Sequence, residues 1–249
     1  MSTLALPPSP TAPAPAPPAP PPTAPPAPRP ALAPCDPGAV ERLRAALGCS
    51  RTFAQVLVRR GLGEPAAARA FLAADAVHDP RAFAGMDDAV ALILRHVAAG
   101  SRITVHGDYD VDGVCATAVL LRALRRLGAD VGSFLPSRVD DGYGLAATTV
   151  ERLAAHGTRL LVTVDCAITA VEEVALARRL GVDVVVTDHH RPRGDGVVPD
   201  APVVHPALGG YPCPDLCAAG VAHKLAEALG APTAPEDLDL VALATVADV

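Results

Sequence analysis

Apolar residues in this chain change period part-way along. Ser50 to Arg60 and Glu64 to Leu72 carry helical spacing, with Gly61 and Gly63 as punctuation and Pro65 at a first-turn position. From Asp87, read as a helix cap, Val90, Ile93, Leu94 and Val97 recur every three or four residues as far as Ala99, and Gly100 ends the run. Short β-branched runs then alternate with helical stretches. Strands are predicted at 102–106, 130–135, 159–164 and 182–187, with a further one at Val203-Val204. Helices are predicted at 113–127, 146–156 and 169–180, with two more at about 216–229 and 236–247. In the first of these, Val114, Thr117, Ala118, Leu121 and Leu124 are read as the inward face.

Strands that are apolar throughout and separated by helices are buried on both faces, which requires parallel pairing with helices on each side. The expected fold is therefore α/β: a parallel sheet with helices on both faces, preceded by a short helical segment. Three parts follow: residues 1–34, 35–85 and 86–249.

Composition separates the first part from the rest. Of the 27 prolines, 15 lie in residues 1–34, where Arg29 is the only charge. Such a Pro/Ala tract lacks the donors for a helix or a sheet ladder and is expected to be extended and disordered. It has neither the basic start nor the unbroken apolar core of a signal peptide, and no later segment approaches a membrane span. Six scattered cysteines show no small-domain disulfide framework, so reduced thiols and a cytoplasmic location are expected. Cys213 and Cys217, with His205 and His223 nearby, are too loosely spaced between Pro212 and Pro214 to read as structural zinc. At the other end, the apolar run from Leu240 to Val249 stops with no cap or polar tail, so a longer parent protein is expected.

The formal net charge is −6, and Lys224 is the only lysine. That balance argues against non-specific coating of nucleic acid but leaves room for a local basic channel. Arg122, Arg125 and Arg126 fall on one predicted helix and read most simply as a solvated face. Arg191 and Arg193 are better placed, beside the residues that carry the chemistry.

Those residues stand where strands end. Ile103-Thr104-Val105 runs into His106-Gly-Asp108-Tyr-Asp110-Val-Asp112-Gly113, a later strand runs into Asp165, and another runs into Asp188-His189-His190. In an open parallel sheet, ligands bind at the carboxyl ends of the strands. Any one of these acids has a plain explanation: Asp112 as the cap of its own helix, or Asp165 in an Asx-turn. Coincidence at one sheet edge does not follow from those explanations. Clustered carboxylates with imidazoles suit Mn²⁺, Mg²⁺ or Zn²⁺, and a metal pair needs a bridging carboxylate. Two other motifs fail on inspection. Asp108-x-Asp110-x-Asp112 begins like an EF-hand, but the twelfth position is Val119 and a strand, not a helix, precedes it. Gly142-x-Gly144-x-x-Ala147 lies too far from its strand, behind Asp140 and Asp141, to cradle a pyrophosphate.

Taken together, His106 to Gly113, Val164-Asp165-Cys166 and Asp188-His189-His190 resemble the DHH phosphoesterase superfamily. Within it, they are most similar to its single-stranded-DNA-specific 5′→3′ exonucleases, which act in DNA repair and recombination. Leu135-Pro-Ser-Arg138-x-x-Asp-Gly-Tyr-Gly144, Ala219-Gly-Val-Ala-x-Lys-Leu225 and Thr245-Val-Ala-Asp248-Val249 support the match, which spans about 50–249. The resemblance implies a Rossmann-like DHH domain with two Mn²⁺ ions, Mg²⁺ being an alternative. It implies His106, Asp110 and Asp165 on one ion, and Asp112, Asp165, His189 and Asp248 on the other, with Asp165 bridging. His190 would face the scissile phosphate, Asp108 and Asp188 would orient their neighbours, and Arg138 would contact a phosphate. The implied partner is single-stranded DNA, with no membrane. The chain departs from the superfamily pattern at Ala167, Ala218 and Ala244, where glycine is usual, and at His205, where asparagine is usual. Alanine fits such positions when the local φ is negative. Oligoribonucleases, cyclic-dinucleotide phosphodiesterases and family II pyrophosphatases share the metals and remain alternatives. So does a metal-loaded but inert fragment.

Overall fold

The structure, a computed structural model, describes residues 32–137, 144–231 and 236–248. Arg138 and most of the Asp-Gly-Tyr-Gly segment lie outside the described residues. Contacts divide the chain between Ala76 and Val77 into two compact units.

Among its described residues the first unit contains three helices: α1 (Pro37–Leu47), α2 (Arg51–Arg59) and α3 (Pro65–Ala73). The pair α2 and α3 matches expectation, and the Ser50 hydroxyl accepts the Phe53 N–H as a cap. Helix α1 is additional to the predicted elements, although its signals are present in the sequence. Asp36 accepts from Gly38 and Ala39, Pro37 occupies the first turn, and Gly48 closes the helix at φ 62°. Val40, Leu43, Ala54, Leu57 and Ala68 form the core of this unit.

The second unit opens with a 3₁₀ turn at Pro80–Ala82 and α4 (Met86–Ala98). The cap of α4 is Gly85, at φ 74°, rather than Asp87; a side chain at Gly85 would strike the Val203 backbone. Asp87 lies in the first turn and pairs with Arg81. The chain then alternates: β1 (Ile103–His106), α5 (Val111–Arg126), β2 (Val131–Phe134), α6 (Ala147–Ala155), β3 (Leu160–Val164), α7 (Val171–Arg179), β4 (Asp183–Thr187), β5 (Val203–Val204), α8 (Ala218–Ala228) and α9 (Glu236–Ala247). Among the described residues the strands form one parallel sheet in the order β2-β1-β3-β4-β5.

Both faces of the sheet are buried, as the unbroken apolar strands require. Val105, Val162, Val164 and Val185 face the side covered by α4, α5, α8 and α9 through Met86, Ile93, Leu120, Leu225 and Ala244. Leu161, Val184 and Val186 face the side covered by α6 and α7 through Val150 and Val174. The buried arc of α5 is broader than the face predicted. Thr117 and Leu124 are buried as expected, Cys115, Ala116, Val119, Leu120 and Ala123 are buried as well, and Val114 is exposed. Helix α5 is covered by α8 and α9 as well as by the sheet, so more of its circumference is buried than the single stripe that periodicity selects. On α9, whose apolar run suggests burial, Leu243 and Val246 are exposed.

Candidate metal centre

Strand register brings the acidic ends together. His106 pairs with Thr163, Val164 with Thr187, and Thr187 with Val204. One residue beyond the last three stand Asp165, Asp188 and His205, so a shared level on adjacent parallel strands fixes their proximity. The loop from β1 to α5 folds tightly over the same edge. A Cβ at Gly113 would lie 2.5 Å from the Asp108 nitrogen, which is why the acidic motif is framed by glycine.

Asp165 is the centre of the arrangement. It is buried at φ 65°, with Oδ1 3.1 Å from His189 Nε2, while Oδ2 accepts no hydrogen bond among the described residues. Burial, reinforced by Asp112 and Asp110, lifts its pKa to about 7, against the lowering pull of His189. His189 Nε2 also lies 3.5 Å from Asp112 Oδ2 and 3.6 Å from Asp248 Oδ2, and the contact with Asp165 raises its pKa. Burial likewise raises Asp108 and Asp112.

Among the described residues, ligand-type atoms converge within 4.8 Å in three groups: Asp165, His189 and His190; Asp112, His189 and Asp248; and Asp108, Asp110 and Asp165. The second group holds three of the four residues that the resemblance placed on one ion, and the fourth, Asp165, touches it through His189. In the third group Asp108 sits beside Asp110 and Asp165, whereas His106 is in none of the groups. His106 is buried at the end of β1, with Nδ1 3.5 Å from Cys166 Sγ. A buried carboxylate with an unengaged oxygen, next to imidazole and further acid, fits a divalent cation, which would replace the proton that burial otherwise imposes.

Asp188 serves as an organiser. One oxygen accepts the Ile168 N–H at 2.8 Å, and the other accepts the His189 and His190 backbone N–H groups at 2.8 and 3.1 Å. The second oxygen also lies 2.8 Å from His190 Nδ1, and this bond pushes the pKa of His190 up to about 9. The same contacts outweigh burial and hold Asp188 below the usual carboxylate range.

Asp112 does not cap its own helix. Asp110 does, accepting the Gly113 N–H at 3.0 Å. Asp112 instead accepts the N–H groups of Ala218 and Ala219, each at 2.7 Å, and so caps α8. Of the three alanines at positions where the resemblance leads one to expect glycine, Ala218 and Ala244 are ordinary helical residues in α8 and α9. Ala167 is not: its φ is 81°, so the condition of a negative φ fails there. Neighbouring bonds hold this turn, with the Thr163 hydroxyl donating to the Cys166 carbonyl and Ile168 N–H to Asp188.

The arginines resolve differently. Arg122 and Arg126 pair with the buried Asp237 at 3.1 and 2.6 Å, joining α5 to the start of α9. Arg193 pairs with Asp195 and Glu172. Arg191 lines a pocket of about 540 Å³ beside His190, Ala167 and Thr169. Cys213, Cys217, His205 and His223 form no metal-ligand group among the described residues. No described helix is long and apolar enough to cross a membrane.

The parallel sheet and its acidic edge define the class: residues 102–245 match the DHH family, N-terminal domain, and the chain belongs to that family. Its relatives include the single-stranded-DNA-specific exonuclease RecJ of Bacillus subtilis, 39% identical over 219 residues, covering 86% of this chain and 28% of that protein. RecJ of Thermus thermophilus is 45% identical over 175 residues, covering 66% and 25% respectively. The crystal structure of Thermus thermophilus RecJ in complex with Mn²⁺ superposes with a TM-score of 0.65 at 35% identity, over 85% of this chain and 30% of that one. The chain thus spans between a quarter and a third of the length of these relatives.

Proposed function

We propose that residues 86–249 are the catalytic DHH domain of a two-metal phosphodiesterase that degrades single-stranded DNA from its 5′ end. The observation that carries this reading is Asp165, a buried carboxylate shared between two groups of ligand atoms at one sheet edge. In this reading Asp112, Asp165, His189 and Asp248 hold one ion, and His106, Asp110 and Asp165 hold the other, with Mn²⁺ the preferred metal and Mg²⁺ a substitute. When bound, the metals would supply water activation and charge neutralisation at the phosphate.

The chain's own groups do the rest. His190, whose Nδ1 lies 2.8 Å from Asp188, faces the scissile phosphate and, in its protonated form, offers it a positive charge and a hydrogen bond. Asp188 fixes the ring and the backbone beneath it, Asp108 orients the β1–α5 loop, and Arg138 contacts a neighbouring phosphate. A flexible single strand reaches such an edge more readily than a stiff duplex. With few arginines nearby, few phosphate contacts form and binding is weak.

The test is Mn²⁺-dependent release of mononucleotides from 5′-labelled single strands, with matched duplex as the control. His190→Ala is expected to suppress turnover while retaining metal. Preferential cleavage of a cyclic dinucleotide, short RNA or pyrophosphate would move the chain to another branch of the family. Bound metal with no cleavage of any of these substrates would refute the catalytic reading for this chain.

A further inference from the structure

His205 lies outside every group of ligand atoms described above, yet it is 1% exposed and hydrogen-bonded at both ring nitrogens. It follows the edge strand β5 directly, one residue past the Thr187–Val204 pair, and so sits at the level of Asp188 on the neighbouring strand. Its Nδ1 receives the Ala207 N–H at 3.1 Å. A backbone N–H can only donate, so Nδ1 must be the unprotonated nitrogen and Nε2 must carry the proton. Nε2 stands 2.8 Å from the His190 carbonyl oxygen and therefore donates to it.

From this geometry we infer that His205 is a positioning residue, which holds the His190 backbone while Asp188 holds the His190 ring. The inference rests on the proposed role of His190 at the phosphate. Two anchors, one following β4 and one following β5, fix where the imidazole can point. Either anchor alone leaves the residue free to pivot about the other. A reacting group displaced by even about 1 Å loses much of its effect, so the second anchor bears on turnover and not on metal binding. The donor's reach matters. Glutamine carries its amide nitrogen as far along the side chain as Nε2, whereas asparagine stops one bond short and preserves only the acceptor toward Ala207.

The full chain loaded with Mg²⁺ and labelled with ¹⁵N at histidine gives a readout independent of activity. Long-range ¹H–¹⁵N correlation is expected to show His205 protonated at Nε2 alone. The His190 ring signals should move in His205→Leu and His205→Asn and stay in place in His205→Gln. On single-stranded DNA with Mn²⁺, His205→Leu is expected to lower kcat about 10- to 100-fold with KM little changed. The metal-induced rise in melting midpoint should be retained, and His205→Gln should restore most of the rate. Protonation of His205 at Nδ1 would overturn the proposal, as would unmoved His190 signals in His205→Leu. So would full recovery by His205→Asn, which would make the turn at Ala207 the feature being served. If the wild type cleaves no single-stranded DNA, the proposed function fails, while the spectra still decide whether His205 holds His190.

Discussion

Asp112 accepts the backbone N–H of Ala218 at 2.7 Å, and that of Ala219 at the same distance, and so caps a helix that begins 106 residues further along the chain. The N-terminal residues of α8 are buried, and its own cap residue, Cys217, offers them no side-chain bond. A carboxylate supplied from α5 satisfies two of their N–H groups and meets the positive end of the helix dipole. The same carboxylate lies beside His189, so α8 and the metal centre share one residue.

Asp112→Ala should therefore destabilise the protein even without metal. Two buried N–H groups lose their acceptor, at a cost of about 1–3 kcal/mol. Chemical denaturation in EDTA measures it. A midpoint equal to wild type would show that the cap contributes nothing and that Asp112 serves the metal alone.

Ala167→Gly should stabilise the protein. A left-handed backbone costs an alanine about 1–2 kcal/mol, partly offset by the greater freedom glycine has when unfolded. The net gain is expected near 1 kcal/mol, a rise of roughly 2–4 °C in melting temperature. A fall in melting temperature would indicate that the methyl group's packing outweighs the backbone strain.

Millimolar Mn²⁺ should raise the melting midpoint, because an ion that binds only the folded state stabilises it by mass action. Asp165→Ala should remove that rise, since it takes away the carboxylate common to two of the groups of ligand atoms. Survival of the full increment in the variant would show that the ions bind elsewhere.

Without metal, stability should decline as pH rises from about 5 to 9. Asp165 in the folded state keeps a proton up to about 7 that an unfolded carboxyl releases near 3.8, so the native state binds more protons and loses ground through that window. His190 acts in the same direction: its contribution is complete below 6.5 and disappears as pH passes about 9. The increment from Mn²⁺ should run the other way and grow with pH, because the ion competes with the proton on Asp165. Melting curves across this range with EDTA and with Mn²⁺ should diverge; parallel curves would contradict the raised pKa.

Removing residues 1–34 should leave the circular dichroism and the melting temperature unchanged, because their composition offers too little apolar surface to offset ordering entropy. A loss of several degrees would show that the segment packs against the rest.

The alternation of strands and helices, the parallel sheet and most of the residues at its edge are legible along the chain. Those are local properties. A strand of Val and Leu read against its neighbours declares burial on both faces, and an acid at its end is placed by the strand that precedes it. Hence His106, Asp165 and His189 are assigned to one edge by strand endings alone. Packing between distant elements set what pairwise geometry controls. It gave the capping of α5 to Asp110 and sent Asp112 to α8, because the choice depends on which distant helix end lies within about 3 Å. It buried Cys115 and Ala116 of α5 along with the predicted Thr117 and Leu124, because two further helices pack on it. It tied Arg122 and Arg126 to Asp237 and set His205 beneath His190, contacts between residues far apart in sequence. It put Ala167 at a positive φ, because the bonds around the turn outweigh the preference of one residue. No pattern along the chain encodes these distances, because each arises only when separate strands and helices pack together.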